Sequence, residues 1–251
     1  MLHVVINCGL CEDYIGRCLT SVRRQTHAQW RAHVTIDRSG DATFDEALAA
    51  RAGDERIAIT RNAARRFPMS NLISAIGRSG AAPDDVIVVL DGDDWLIDDE
   101  AFALIDRMYE ETDCWVTYGS WISNRPERPG LWPPYASGTT DFRSEPWLGT
   151  AVRTWKRWLF DRIEPDAFRD ARGNYLRNAD DLACMFPLLE MATTERACHI
   201  ERPLMFYNLL SPHDDGPELA RESERNAEWL RSRPRYAPLP AFTNARAQPS
   251  S

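Results

Sequence analysis

Along its first half the chain alternates short apolar runs with segments whose apolar residues recur every three or four positions. His3-Val4-Val5-Ile6-Asn7 reads as a buried strand. Asp13 to Arg24 then sets Tyr14, Ile15, Cys18, Leu19 and Val22 on one helical face. Arg31 to Ile36 is a second strand, closed by the turn-rich Asp37-Arg38-Ser39-Gly40-Asp41, and a helix from about Phe44 to Ala52 follows. Ile57 to Thr60 is a third strand. A helix over Asn71 to Gly77 leads into the most apolar run, Val86 to Leu90, which suits a central strand covered on both faces. Strands separated by helices of this length predict right-handed crossovers and an α/β fold, with a mainly parallel sheet flanked by helices. In such sheets ligands bind beyond the carboxyl ends of the strands. Asn7, Asp37 and Asp91 stand at those ends.

The second half is less regular. Cys114 to Tyr118 reads as a strand, and the Pro-, Gly-, Arg- and Trp-rich stretch Asn124 to Leu148 as a long loop. Helical patterns return around Thr154 to Phe160 and Ala179 to Ala192. Ile200 to Tyr207 is extended, and Gly216 to Arg231 is a polar surface helix. From Ser232 to Ser251 the chain is Pro- and Ala-rich, which predicts an irregular or mobile tail. The expected organisation is one domain over 1–231. Within it, a nucleotide-binding half runs to about 120 and a smaller acceptor-facing half from about 121.

Composition narrows the function classes. The formal net charge of -8 repels a polyanion and argues against a dedicated nucleic-acid binder. No stretch approaches the roughly 18 apolar residues of a membrane span. The short apolar start lacks a basic leader, so cytoplasmic residence is expected. Cys18, Cys114, Cys184 and Cys198 sit singly in apolar surroundings, as buried thiols do. Cys8-Gly9-Leu10-Cys11, between a strand and a helix, invites a thioredoxin-like redox reading. Only one strand precedes it, however, and that reading leaves the acidic loop further on unexplained.

That loop, Asp91-Gly92-Asp93-Asp94, packs three carboxylates directly behind a buried strand. Like charges so close need a cation or ligand donors to compensate them. Carboxylates at alternate positions suit Mg²⁺ or Mn²⁺, with substrate phosphates completing the coordination. Gly92 is expected to let the backbone turn sharply between the acids. The plainer alternative is an acidic turn in which Asp94 caps a helix starting near Leu96. No Walker-type phosphate loop is present to favour a nucleotidyltransferase.

Here a resemblance enters. The acidic loop resembles the Asp-x-Asp motif of the GT-A glycosyltransferases, and residues 3 to 210 resemble glycosyltransferase family 2. The helix Tyr14-Ile15-Gly16-Arg17-Cys18-Leu19-Thr20-Ser21-Val22-Arg23-Arg24-Gln25-Thr26 follows the family's Tyr-Ile-x-x-Cys-Leu-x-Ser-Val-x-x-Gln-Thr closely. Asn7-Cys8-Gly9-Leu10 departs from the family's Pro-Val-Tyr-Asn, which puts the mode of base binding in question. The resemblance implies a GT-A fold and transfer of a sugar from a nucleotide-sugar, a UDP-sugar foremost, to a hydroxyl acceptor with inversion.

The resemblance also implies residue roles. Asn7, Cys8, Asp37, Arg66, Asp91, Gly92 and Asp93 hold the donor: Asp37 at the nucleobase, Asp91 near the ribose, and Asp93 on the metal. Arg65 and Arg66 fall near the diphosphate. Asn178-Ala179-Asp180-Asp181 resembles the family's Glu-Asp pair, with Asp181 as catalytic base and Asp180 in place of Glu. Helix capping is the alternative for both. His213 lies where some GT-A enzymes place a late metal ligand.

For the acceptor, Trp121, Trp132 and Trp147 offer flat faces that stack on sugar rings or on splayed bases. A glycan or small glycoside is the expected acceptor, with a nucleic-acid base or a lipid-linked sugar as the alternative. An inactive nucleotide-sugar-binding protein of GT-A shape is the non-enzymatic alternative. Trp115 and Trp158 are expected in the core. Oligomeric state is not set by the sequence.

Overall fold

The structure, a computed structural model, describes residues 1–125, 127, 130–211 and 217–240. Eight strands form one sheet in the order β3-β2-β1-β4-β7-β6-β8-β5. β1 (Leu2–Cys8), β2 (Trp30–Ile36), β3 (Ile57–Arg61) and β4 (Val86–Asp91) are mutually parallel. They are linked through the helices α1 (Ile15–Arg23), α2 (Thr43–Arg51) and α3 (Phe67–Arg78).

Period-two alternation explains why β1 is buried throughout and β4 nearly so. Leu2, Val4 and Ile6 of β1, with Val86, Val88 and Leu90 of β4, pack on one face of the sheet. Val5, Ile87 and Val89 pack on the other. On the first face α1 seats Ile15, Cys18, Leu19 and Val22, the face its spacing predicts.

Beyond β4 the sheet becomes mixed. β5 (Trp95–Leu96) pairs antiparallel with β8 (Ala197–Tyr207), and α4 (Ala101–Glu111) follows β5. β6 (Val116–Ser123) runs parallel to β8. Between β4 and β6 lies β7 (Arg153–Lys156), antiparallel to both. The sequence pattern places a helix over Thr154 to Phe160; only the turn α5 (Arg157–Phe160) is helical. Trp155, Trp158 and Leu159 mimic helical spacing, yet the first belongs to a strand whose Thr154 and Trp155 are both buried. Ladder pairing on both edges overrides the local pattern there.

α6 (Asp180–Arg196) and α7 (Pro217–Ser232) complete the second half of the chain. Residues 233–240 have no regular secondary structure but are tied down. The Tyr236 amide donates to Glu190, the Glu164 amide donates to the Tyr236 hydroxyl, and the Leu239 amide donates to the Met191 carbonyl. Among the described residues no helix is long and apolar enough to cross a membrane.

Candidate active site

The carboxyl ends of β1 and β4 lie side by side, with Asn7 opposite Asp91. There the chain of β4 turns, and the Gly92 amide donates to the Asn7 carbonyl at 2.8 Å. Gly92 is required here for a reason other than the sharp turn expected of it. Its φ is not in the left-handed range; rather, a Cβ at this position would lie 2.3 Å from Cys8 Sγ. The two backbones approach too closely for a side chain.

Asp94 does not cap a helix. It is buried, and it accepts the Asn208 amide at 2.8 Å, clamping the acidic loop to the end of β8. Its second oxygen has no protein partner. Burial, with the neighbouring Asp91 and Asp93 charges, raises its carboxyl to about 9.

Asp37, at the end of β2, is a hub. Its carboxylate accepts the amides of Arg38, Arg66 and Phe67 and the Asn62 side chain, at 2.8 to 3.1 Å. These bonds, opposed by burial, hold it below the ordinary aspartate value. The carboxylate therefore orients the turn into α3, and any base contact must share its oxygens with four protein donors. Asn62 also reaches Asn71 at 2.8 Å, so β3 and α3 are stitched to the same point. Arg66 meets the site through its backbone, whereas Arg65 lines the cleft.

The cleft has a volume of about 410 Å³. Asn7, Cys8, Asp37, Asp91, Asp93 and Asp180 all line it, together with Arg65, Phe67, Arg177 and Tyr207. Asn7 brings a buried side-chain Oδ1 that has no donor among the described residues. Asp180 and Asp181 open α6 behind Ala179, whose φ of 57° is a left-handed conformation uncommon outside glycine. Loss of hydration and then the Asp181 charge raise the Asp180 carboxyl to about 6, against the opposing pull of Arg153. Loss of hydration likewise raises Asp91 to about 7; Arg153 opposes this, and Asp180, Asp93 and Asp181 reinforce it. The Asp91 side chain nevertheless keeps 43% of its surface open to the cleft, so water or a cation can discharge much of that cost.

Arg153 is the residue the sequence reading missed in this role. Its guanidinium is nearly buried and lies 3.9 Å from Asp91 and 3.6 Å from Asp181. The sequence shows it only as one of many arginines in a Trp-rich segment. Its placement depends on β7 entering beside β4, where it pairs with Val89. No local signal carries that information.

The three tryptophans expected at the acceptor lie outside the cleft lining. Trp121 packs edge-on to Tyr207 and covers Gly130 so closely that a Cβ there would overlap its ring. Trp147 packs edge-on to Phe186 and closes over Gly149. Trp132 is 37% exposed. Trp115 is buried, with Trp158 edge-on against it, as expected of core residues. His213 lies outside the described residues.

Cation chemistry is compatible with this donor set. Among the described residues no three His, Cys, Asp or Glu side chains converge as a ready cage. Asp91 and Asp93 do face the same cleft, and a Mg²⁺-type cation that completes its shell with phosphate and water needs only one or two carboxylates. Asp94, turned away and bonded to Asn208, is not a third.

With this geometry in hand, comparison with known proteins is decisive on kinship. The family described as Glycosyl transferase family 2 matches residues 3–178. The chain belongs to this family. No curated protein matches its sequence. Among solved structures, S. aureus TarS 1-349 in complex with UDP superposes with a TM-score of 0.67 at 16% identity, over 91% of this chain and 64% of that one. The TarS 1-349 complex with UDP-GlcNAc gives 0.64 at 13% identity, over 92% and 66%. The mannosyltransferase PcManGT from Pyrobaculum calidifontis, in complex with GDP-Man and Mn²⁺, gives 0.61 at 14% identity, over 84% and 58%. The chain thus has the GT-A α/β fold of this family and spans just under two thirds of the TarS 1-349 chain.

Proposed function

We propose that this family 2 chain transfers a glycosyl group from a nucleoside-diphosphate sugar, a UDP-sugar foremost, to a hydroxyl of a glycan or small glycoside, with inversion. The observation that carries this reading is the convergence of Asp91, Asp93 and Asp180 on one cleft at the carboxyl ends of β1 and β4, where α/β sheets bind nucleotides. The likeness to structures holding UDP, UDP-GlcNAc and GDP-Man supports it.

In this reading the half to about residue 120 holds the donor, and the remainder presents the acceptor. Asn7, Cys8 and the turn anchored by Asp37 surround the base, and Arg65 lies on the diphosphate side. Asp93, with Asp91 beside it, would hold a Mn²⁺ or Mg²⁺ that neutralises charge on the departing diphosphate. The acceptor's proton goes to the Asp180–Asp181 pair. The family pattern assigns the base to Asp181, which Arg153 orients from 3.6 Å. Asp180, facing the cleft, contributes to donor binding as well.

Calorimetric binding of a nucleotide-sugar panel, with Mn²⁺ and then with chelator, tests the reading. One donor should bind with metal and lose at least about tenfold in affinity without it, or in Asp93→Ala. Asp181→Asn should keep donor affinity and lose about 10²-fold or more in transfer. Asp180→Asn should weaken donor binding. The reverse pattern moves the base to Asp180, and absence of binding to every donor ends the transferase reading.

A further inference from the structure

Six cysteines are present, and the sequence draws attention to the wrong pair. Cys8 and Cys11 have the spacing of a redox motif, but both are buried. Burial, with Cys11 and then other charges beside it, pushes the Cys8 thiol well up. A thiol that resists ionisation is a poor nucleophile.

A second pair, 84 positions apart in sequence, has the opposite character. Cys114 sits just before β6, and Cys198 is the second residue of β8. The two segments are held in register by the Val116–Ala197 and Thr117–Cys198 pairings and by the Trp115 amide donating to the Arg196 carbonyl at 2.9 Å. Cys114 Sγ reaches back to the Val116 carbonyl at 3.3 Å, and Val116 is paired with Ala197, the neighbour of Cys198, so both thiols lie at the start of the β6–β8 seam. Cys114 is buried, whereas Cys198 is half-buried and also lies 3.9 Å from the Thr112 hydroxyl.

We infer that Cys198 and Cys114 form an oxidisable dithiol, in which Cys198 reacts with a hydroperoxide and Cys114 resolves the product into a disulfide. The reasons are accessibility, proximity and charge together. Cys198 is the one cysteine that is not buried, and Cys114 stands beside it across the start of the β6–β8 pairing. The Cys114 thiol, opposed by burial, lowers Cys198 to about 7; the Thr112 contact also lowers it, and the Asp113 charge works against this. An accessible thiolate beside a resolving cysteine is the arrangement that peroxide-sensitive proteins use.

The chemistry balances. The Cys198 thiolate attacks one peroxide oxygen, a sulfur–oxygen bond forms, the oxygen–oxygen bond breaks, and the released hydroxide takes a proton to become water. The sulfur of Cys114 then displaces hydroxide from the sulfenic acid, and that hydroxide leaves as water with the Cys114 proton. Two thiols lose two electrons, and one peroxide becomes two waters. The new bond ties the start of β6 to the start of β8. Those strands continue to Trp121 and to Tyr207, the latter of which lines the cleft.

The experiment is titration of the folded chain with hydrogen peroxide, read by peptide mass mapping. The expected product is a single linked peptide pair, Cys114 with Cys198, lighter by two hydrogens, with Cys8, Cys11, Cys18 and Cys184 still alkylatable after denaturation. In Cys114→Ser, a dimedone-reactive sulfenic acid should persist on Cys198. In Cys198→Ser, neither linkage nor dimedone adduct should form. A Cys8–Cys11 disulfide forming first, or uniform oxidation of all six thiols, would overturn the inference. So would a Cys114→Ser protein in which Cys198 reacts no faster than the buried thiols.

Discussion

The carboxyl edge of the parallel strands and the segment from 121 to 150 use side chains in opposite ways. At the ends of β1, β2 and β4 several polar side chains are oriented by backbone groups. Asp37 gathers three amides, Asp94 takes the Asn208 amide, and the Gly92 amide is spent on Asn7. Across residues 121–150 the conspicuous side chains are aromatic, and Trp121 and Trp147 are held by rings and glycines instead. Carboxylates at strand ends serve the fold at Asp94 and Asp37, whereas Asp91 and Asp93, facing one cleft, speak for chemistry. A tryptophan face is equally at home on a sugar or on a phenylalanine, and sequence does not choose between them.

The sharpest way to break this contrast is at Asp37. Asp37→Ala strips the acceptor from the Arg66 and Phe67 amides and from Asn62, and each buried donor left unpaired costs about 1–3 kcal/mol. We expect a fall in the unfolding midpoint together with a loss of nucleotide affinity of about tenfold or more. Chemical denaturation and calorimetry on one preparation check both. Unchanged affinity at reduced stability would make Asp37 a fold residue alone.

Trp147→Ala should separate the two properties the other way. Losing its contacts with Phe186 and Gly149 should cost about 2–4 kcal/mol of stability, towards the lower end of large-to-small values because the ring is only partly buried. Nucleotide affinity should not move. Trp132→Ala, at a 37% exposed ring, should leave stability unchanged within about 0.5 kcal/mol. A loss of transfer in Trp132→Ala, with donor affinity intact, would restore that tryptophan to the acceptor site. A loss of nucleotide affinity in Trp147→Ala would sink the contrast itself.

How much of this was legible in the chain follows the same division. The four parallel strands and the α1 face were readable because period-two and period-3.6 patterns report burial directly, and Asn7, Asp37 and Asp91 fell at strand ends by counting. Long-range placements were not readable. β7 inserts between β4 and β6 and so carries Arg153 to Asp91 and Asp181, a pairing no window of sequence contains. Gly92 does lie in a turn, with the Asp94 amide on the Asp91 carbonyl, but its crowding by Cys8, on another strand, is a contact that no window of sequence shows. Arg66 reaches Asp37 through its backbone amide, a contact that its residue type does not announce.

The smallest expected effect lies at the opposite edge of the same sheet, where the strands begin. His3 and His33 stack there at 5.3 Å, and His3 reaches Asp85, which also pairs with the N-terminus. Burial, then the His3, Arg31 and Arg78 charges, lowers His33 to about 4. The unfolded chain holds that histidine near an ordinary value of about 6.5. Between the two values the unfolded state binds more protons than the folded one, so stability rises with pH through this window and is lost as pH falls towards 4. His33→Gln should therefore flatten the fall in urea midpoint between pH 6.5 and pH 4.5, while nucleotide affinity, set at the far edge, stays as in the parent chain. If the variant's midpoint falls as steeply as the parent's, His33 is not the titrating group. If its nucleotide affinity changes as well, the two edges of the sheet are coupled and the contrast drawn from the carboxyl edge does not hold.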